Sequence, residues 1–425
     1  MDFTADLHVH LGATRSGRPV KIGASRHLTL PGVLDAAMRK GIKLLGVVDF
    51  VPDVIEEARE HLSSGVCVEA AGGGLEYKCG VTVVPGLEVE IRPQGRKPAH
   101  FVALFPGIDE ASRMSQWVSA RESNPDLSSQ VLRATAQEAS DLTFELGGTF
   151  WPAHAFTPHK GYYGSCAASY GDVFESGSHF EAIELGLSAD TAMAGMLPEI
   201  SSSRFVTASD CHGPETLARE FMLVSGPVSF DVVKAAARGE SGAPWPVIAN
   251  YGLDPRLGKY HRTACPRCGW IASGAPPAEP PCPMCGHTRL ITGVKDRIAT
   301  LALEQRAMPK TAPHTSPGRI SCRQAAHCAC REDQEERPPY VYQVPLDFLP
   351  GVGKRTRAEL RREFGDESFV LHRATYAEIG RVAGERVAAC IVAARAGDID
   401  VAEGGGGQYG RVLGITRKPG MTSSS

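Results

Sequence analysis

Histidines and acids recur in three short segments that lie far apart in the chain. His8 and His10 stand in DLHVH, His154 in WPAHAFTPHKGYYG, and Asp210 and His212 in ASDCHGP. Alternate side chains of an extended strand share one face, so each spaced pair can point at one ion. Imidazole and carboxylate together suit Zn²⁺, Mn²⁺ or Fe²⁺, and such ions can activate water and neutralise a phosphate oxygen. The pattern predicts a hydrolase with a polynuclear metal centre.

Further nitrogen and oxygen donors follow other apolar runs. VPGLEVE supplies Glu88 and Glu90, KPAH supplies His100, and VVDF supplies Asp49. Glu184, in AIELGLSAD, also stands at a strand end, where a structural role and a ligand role are both open. In barrels and open α/β sheets, active sites lie at the carboxyl ends of the strands. We expect these donors to meet at one face.

Composition sets limits on the class of protein. The 425 residues allow two or three domains, and a net charge of -3 gives no general attraction to nucleic acid. The N-terminus has no secretory pattern and no apolar run is long enough to span a bilayer, so we expect a cytoplasmic protein without membrane contact. In that compartment the cysteines should be thiols or metal ligands.

Short apolar runs alternate with helical patterns up to about residue 246. This rhythm is typical of βαβ units and predicts an α/β fold, either a barrel or a layered sheet. A segment rich in Pro and Gly then leads into two CxxCG motifs.

The metal-site motifs resemble the polymerase and histidinol phosphatase (PHP) superfamily of metal-dependent phosphoesterases, whose domain is a distorted (β/α)₇ barrel. The segments SGRPVKI, PAHAFTPHKGYYG, ELGLSAD, GLDPRLGKYHRT, RPPYVYQVPLDFLPGVG and GGGGQYG resemble, in this order, the endonuclease Q family of DNA-repair nucleases. This resemblance extends from residue 6 to about residue 412.

The resemblance implies hydrolysis of the DNA phosphodiester 5′ to a deaminated base (uracil, hypoxanthine or xanthine) or an abasic site. It implies two or three divalent ions (Zn, Mn, Fe or Mg) and double- or single-stranded DNA as partner. Asp210, His10 and His154 are the implied catalytic residues. The implied metal ligands, with Asp49 added, are His8, His10, Asp49, Glu88, His100, His154, Asp210 and His212. A sliding clamp is a further candidate partner, although no short clamp-binding motif stands out.

One position departs from the family pattern. Where a histidine is expected close to Asp49, this chain has Phe50, which cannot bind a metal ion. Asp49 is then the remaining donor from this turn, and one metal position has a weaker ligand set.

The two CxxCG motifs predict a closed structural zinc site. Cys265 and Cys268 are separated by 13 residues from Cys282 and Cys285, and four thiolates leave no coordination position open for catalysis. In a unit this small the ion would replace a hydrophobic core. A second cluster, formed by Cys322, His327, Cys328 and Cys330 with His314 nearby, lies in a polar segment and matches nothing in the family pattern.

Three regions are candidates for DNA contact. LPGVGKRTRAELRREFG resembles a helix-hairpin-helix, in which glycine amides approach a phosphate and basic side chains add charge. Its candidates are Gly351, Gly353, Lys354, Arg355 and Arg357. An enzyme that tests the identity of one base takes that base out of the stack into a pocket. The loops SGRPVKI and FTPHKGYYG are the candidates for this pocket, and their candidate residues are Lys21, His159, Lys160 and Tyr163.

We therefore predict a distorted (β/α)₇ PHP barrel over 1–246, a four-cysteine zinc-binding domain over 255–300 and a flexible insertion over 307–337. A helix-hairpin-helix-like helical domain over 338–412 and a disordered tail over 413–425 complete the chain. Two alternatives stay open. One is a small-molecule phosphoesterase, which would need neither the zinc unit nor the basic hairpin. The other is a damaged-DNA-binding scaffold whose metal centre is weakened, as Phe50 suggests.

Overall fold

A computed structural model describes residues 1–175, 180–201, 203–238, 245–307 and 337–416. Its strands are β1 Asp2–Val9, β2 Leu44–Val47, β3 Cys67–Glu69, β4 Leu75–Tyr77, β5 Thr82–Ile91, β6 Ala99–Leu104, β7 Val131–Leu132, β8 Thr149–Pro152, β9 Ala182–Glu184, β10 Arg204–Val206, β11 Phe221–Ser225, β12 Val247–Leu253, β13 Tyr340–Gln343, β14 Ile399–Ala402 and β15 Arg411–Ile415. Its helices are α1 Leu30–Lys40, α2 Pro52–Ser63, α3 Ile108–Ser119, α4 Ala136–Glu145, α5 Thr191–Ala194, α6 Phe230–Arg238, α7 Val294–Ala307, α8 Lys354–Phe364, α9 Glu367–His372, α10 Tyr376–Ala383 and α11 Glu385–Arg395.

Local sequence explains several helix ends. The side chain of Thr29 caps the N-terminus of α1, and Gly41 ends the helix in the left-handed conformation. Thr135 and Glu138 form a capping box at the start of α4. These short helices connect strands and bring the chain back across the sheet.

Seven strands follow one another around a ring. Ladders join β1 to β2, β2 to β5, β5 to β6, β6 to β8 and β9 to β10. A backbone hydrogen bond between Ala155, just after β8, and Glu184 of β9 connects these two strands. Cys211, in the segment after β10, forms backbone hydrogen bonds with His8 and His10 and so connects this segment to β1. Strand β6 is antiparallel to both of its neighbours. This reversal departs from a regular parallel barrel, and the α/β class is confirmed.

One apolar cluster receives a side chain from every strand of the ring. These residues are Leu7, Leu44, Val84, Val102, Trp151, Ala182 and Val206. Phe230 and Val233 of α6 join the same cluster. The ring therefore encloses a packed core, and the polar residues are placed at its rim.

The remaining strands extend the sheet beyond the ring. Strand β11 pairs with the first half of β1, β12 pairs with β11, and β13 adds in parallel to β12. Strand β13 belongs to the predicted helical domain, so that domain begins on the sheet of the barrel. Helices α8 to α11 then pack around their own apolar core, which includes Leu360, Ile379 and Ile391.

Two predicted segments fall mainly outside the described residues. All but the two end residues of the predicted insertion 307–337 lie within residues 308–336, which the structure does not describe, and these include Cys322, Cys328, Cys330, His314 and His327. The predicted start of the tail at residue 413 is a correction: β15 continues to Ile415 because it pairs with β14. Within the described ranges, no helix is both long and apolar enough to cross a bilayer.

Candidate metal centre

Strand β1 supplies the first two candidate metal ligands. His8 and His10 are fully buried, and their Nε2 atoms lie 3.2 Å apart. Nδ1 of His8 lies 3.0 Å from Glu184, and Nδ1 of His10 lies 3.0 Å from Asp49. A carboxylate bound to Nδ1–H fixes the tautomer and leaves Nε2 for a metal ion. Glu184 and Asp49 therefore orient the two imidazoles.

Asp210 completes the first metal-binding group. Ligand atoms of His8, His10 and Asp210 all lie within 4.8 Å of one another. Oδ1 of Asp210 is 3.4 Å from Nε2 of His10. The backbone φ of Asp210 is +47°, a left-handed conformation that is rare for residues other than glycine. Such strain is concentrated at functional sites, where surrounding contacts must maintain it.

Glu88, His100 and His154 form the second metal-binding group, with ligand atoms again within 4.8 Å. Oε1 of Glu88 lies 2.6 Å from Nδ1 of His100 and 3.5 Å from Nε2 of His154. The same oxygen is 3.5 Å from Nε2 of His8, and Oε2 is 3.6 Å from Nε2 of His10. Glu88 thus lies between the two groups and can serve both.

Lys21 supplies positive charge to the centre. Its Nζ donates to Oε2 of Glu88 and to Oγ of Ser129, each at 2.6 Å. Burial would lower the pKa of Lys21, but Glu88 and Asp49 raise it above its ordinary value. Burial would raise the pKa of Glu88, but His100 and Lys21 hold it well below its usual range. The carboxylate therefore stays ionised, as metal binding requires.

The donor set fits divalent metal ions. Nδ1 of His100 and Nε2 of His154 both face Oε1 of Glu88. Imidazole nitrogens together with a carboxylate oxygen are donors that Zn²⁺, Mn²⁺ and Fe²⁺ accept. Two ligands on opposite sides of one ion lie about 4.4 Å apart at bond lengths of about 2.2 Å, which is comparable with the spread within each group. The two candidate groups match two of the two or three predicted ions, whose number stays a prediction.

Two predicted ligands lie beside these groups. Asp49 contacts Nδ1 of His10 and also accepts from the backbone N–H of Leu11 at 2.6 Å. These contacts of Asp49 favour a role in orienting His10 over a role as a metal ligand. Nδ1 of His212 is 2.9 Å from the backbone oxygen of Asp210. Both ligand assignments stay predictions. Phe50 is fully buried in a second apolar cluster, which includes Val54 of α2 and Leu87 of β5, and this explains an apolar residue at that position.

The loop residues predicted to contact a base have different surroundings. Lys21 is held inside the metal centre by Glu88. The side chain of Lys160 is half-exposed, and its Nζ lies 2.6 Å from Oε2 of Glu90. His159 is exposed and its ring lies 5.0 Å from that of Tyr260. His159 and Lys160 thus remain candidates for DNA contact at the rim.

The prediction for Tyr163 is wrong in this structure. The residue is fully buried, it stacks on Phe156, and its hydroxyl donates to Glu199 at 2.9 Å. Its position in the core prevents contact with DNA.

The four cysteines of the CxxCG motifs come together as the zinc prediction requires. Sγ of Cys265 lies 3.6 Å from that of Cys285, and Sγ of Cys268 lies 3.7 Å from that of Cys282. Tetrahedral thiolates at about 2.3 Å from zinc have sulfur atoms about 3.8 Å apart. The sulfur spacing therefore fits a closed four-thiolate site, and its zinc ion stays a prediction.

The Gly-x-Gly segment leads into α8 as predicted. Gly351 has φ +87°, and Gly353 is the N-cap of the helix. The preceding segment is a single 3-10 turn, Leu346–Phe348, instead of a full helix. Lys354 is exposed, and Arg355 is exposed beside Glu359.

Arg357, on the same helix, differs from its two basic neighbours. It is largely buried and lies 3.5 Å from Glu215 of the barrel. This placement favours a role in packing the helical unit onto the barrel.

Sequence reasoning missed several residues around the centre. Asp6 accepts from the backbone of Ser209 and of Ala218, and burial raises its pKa to about 6. Ser129 donates to Glu88, and no motif signals it.

A second helix–glycine–helix turn at Gly384, with φ +87°, joins α10 to α11. The Gly in VAGERVAACIV was the available signal for this turn.

Relatives with known sequences match most of the chain. The chain is 39% identical over 415 residues to the uncharacterized protein YqxK of Bacillus subtilis (strain 168), covering 96% of this chain and 98% of that protein. It is also 33% identical over 279 residues to the uncharacterized protein MJ0043 of Methanocaldococcus jannaschii, covering 61% of this chain and 31% of that protein. No family model matches the sequence.

Two solved structures share the architecture. The lesion-specific endonuclease PfuEndoQ from Pyrococcus furiosus aligns with a TM-score of 0.75 and 29% identity, over 97% of this chain and 95% of that chain. Endonuclease Q in complex with a 27-mer duplex substrate carrying an abasic lesion at the active site aligns with a TM-score of 0.74 and 27% identity, over 99% of both chains. The chain therefore belongs to the endonuclease Q family of metal-dependent endonucleases.

Proposed function

We propose that this protein is a DNA-repair endonuclease that hydrolyses the phosphodiester 5′ to deaminated bases, namely uracil, hypoxanthine and xanthine, or to abasic sites. The observation that supports this most is the pair of metal-binding groups joined by Glu88. In a relative that aligns over nearly the whole chain, an abasic lesion lies at the active site.

The residues of the centre have distinct tasks in this proposal. His8, His10 and Asp210 would hold one ion, and Glu88, His100 and His154 would hold the second. Divalent ions bound there lower the pKa of water towards neutrality and offset phosphate charge. Glu184 and Asp49 keep Nε2 of their histidines directed at the centre.

The surroundings of the centre favour a polymeric substrate over a small phosphate ester. Asp210 is 27% exposed, so the centre is open to the surface on this side. The Tyr260 ring contacts both His159 and Lys259, and Lys160 pairs with Glu90, which lies 3.3 Å from His100 of the second group. Cations and aromatic rings of this kind suit a nucleic-acid backbone and an unstacked base.

An incision assay tests the proposal. Labelled duplexes and single strands carrying uracil, hypoxanthine, xanthine or an abasic site are incubated with the protein and Mn²⁺ or Mg²⁺, beside an undamaged control. We expect a nick 5′ to the lesion and none in the control strand. Asp210→Asn should lose at least about 10³-fold in rate. Equal product from mutant and parent would refute the role of Asp210.

The same preparation should be tested on nitrophenyl phosphate. Faster turnover of this ester than of damaged DNA would favour the small-molecule phosphoesterase. Lesion binding without a nick under any metal would favour the weakened scaffold.

A further inference from the structure

The segment between β10 and β11 carries Asp210, and two side chains hold it from either side. Nε of Arg219 donates to the backbone oxygen of Ser209 at 2.8 Å, and Nη2 donates to that of Asp210 at 3.2 Å. Asp6 accepts from the backbone N–H of Ser209 at 2.9 Å and of Ala218 at 3.0 Å. These bonds fix the peptides on both sides of the left-handed conformation at Asp210.

The remaining arm of Arg219 reaches a distant part of the chain. Its Nη1 donates to the hydroxyl of Tyr409 at 2.9 Å, across a sequence separation of 190 residues. Tyr409 stands in the glycine-rich segment 404–410, whose Gly410 donates to the backbone oxygen of Leu257 at 2.9 Å. A Cβ at Gly410 would lie 2.5 Å from a backbone oxygen of Arg256, so this close approach requires glycine.

We propose that the hydrogen bond between Arg219 and Tyr409 positions Asp210 for metal binding. The docking of segment 404–410 beside the zinc unit then sets the affinity of the first metal-binding group. This inference rests on the proposed function, in which Asp210 binds a metal ion. A guanidinium donates in fixed directions within one plane. If Nη1 of Arg219 loses the hydroxyl of Tyr409 as its acceptor, the guanidinium is held less firmly, and its hydrogen bonds to the backbone oxygens of Ser209 and Asp210 weaken. Arg219 and Tyr409 are positioning residues, because Arg219 contacts backbone oxygens of Ser209 and Asp210 and Tyr409 acts through Arg219.

Tyr409→Phe is the sharpest variant because it removes a single hydroxyl. The ring stays packed, with Phe348 at 5.3 Å and Nζ of Lys259 at 5.7 Å from its centroid. Tyr376→Phe is a matched control: Tyr376 is 39% exposed against 38% for Tyr409, and its hydroxyl donates to the backbone oxygen of Glu385, within the helical unit, at 3.5 Å.

The experiment is a titration of the metal-depleted full chain with Mn²⁺, in which free Mn²⁺ is followed by electron paramagnetic resonance. Tyr409→Phe should weaken the barrel site that contains Asp210 by about tenfold, within the range measured when partners of metal ligands are removed. Tyr376→Phe should bind like the parent. Zinc content should stay unchanged in both, since the four-cysteine site does not depend on this contact.

A double mutant tests whether the two residues act through one contact. Arg219→Lys should weaken Mn²⁺ binding more, by up to about 100-fold, and adding Tyr409→Phe should have little further effect. Equal affinities of Tyr409→Phe and Tyr376→Phe, or additive losses in the double mutant, would overturn the inference.

Asp210→Asn in the same titration separates the two levels of the account. If Asp210→Asn binds Mn²⁺ like the parent, the ligand assignment of the proposed function fails. If it binds weakly while Tyr409→Phe is unchanged, only the positioning role of Tyr409 fails.

Discussion

The ligands of the four-cysteine site lie within residues 265–285, whereas those of the barrel centre are spread from residue 8 to residue 210. The cysteines follow local turns and close around one position. The barrel ligands depend on the closure of a ring of strands, on left-handed backbone at His154 and Asp210, and on carboxylates that orient His8 and His10. A locally built, closed site suits stabilisation, and an open site assembled over long distances suits catalysis.

The largest effect that separates the two regions should come from Glu88→Gln. Glu88 contacts ligands of both barrel groups, so losing its charge should lower the incision rate at least about 10³-fold. Zinc content should stay at the parental value. The exposed Glu76→Gln serves as a control for the same chemical change, and a similar loss there would show that the effect is not specific to the centre.

Cys265→Ser should act on the other region. A zinc site with one thiolate missing loses much of its affinity, so elemental analysis should show one zinc fewer and thermal melting should shift downwards. Mn²⁺ affinity of the barrel should change by less than about tenfold, because the zinc unit reaches Asp210 indirectly, through segment 404–410 and Arg219. The exposed Cys79→Ser is the control. Parallel loss of barrel ions would show that the two regions are coupled.

Glu184→Gln should have an intermediate effect. It keeps the size of the side chain but removes the charge that holds Nδ1–H of His8, which should weaken barrel metal binding by about 10- to 100-fold. Glu181→Gln, which removes a carboxylate paired with Arg238 near the same strand, should bind Mn²⁺ like the parent. Calorimetric titration with Mn²⁺ measures the affinity of each variant. Identical affinities for Glu184→Gln and Glu181→Gln would contradict the role of Glu184 in orienting His8.

The smallest effect is expected for Tyr163→Phe. Loss of the hydrogen bond to Glu199 should reduce the free energy of unfolding by about 1 kcal/mol, as urea melts would show. DNA affinity should not change, whereas Lys160→Ala at the rim should lower it. Weaker DNA binding by Tyr163→Phe at full stability would restore the prediction that this residue contacts DNA.

The sequence predicted the features that depend on spacing. The pair His8/His10 and the two CxxCG motifs meet where strand alternation and knuckle turns place them. The α/β class followed from the alternation of apolar runs and helical patterns.

Other features depend on packing that no local pattern encodes. Tyr163 stands in a polar segment, and only tertiary contacts bury it. Ser129 and Arg219 reach the centre through contacts with residues at least 9 positions away. The family pattern around VVDF predicts Asp49 as a ligand, and its contact with Nδ1 of His10 is visible only once both strands are placed.

The most direct test of the central claim is selective metal removal. The full chain is treated with a chelator until only the cysteine-bound zinc remains, and incision of an abasic duplex is measured before and after adding Mn²⁺. The account predicts no incision at one zinc per chain and recovery in proportion to the Mn²⁺ bound. Full incision by the protein that retains only this zinc would contradict it.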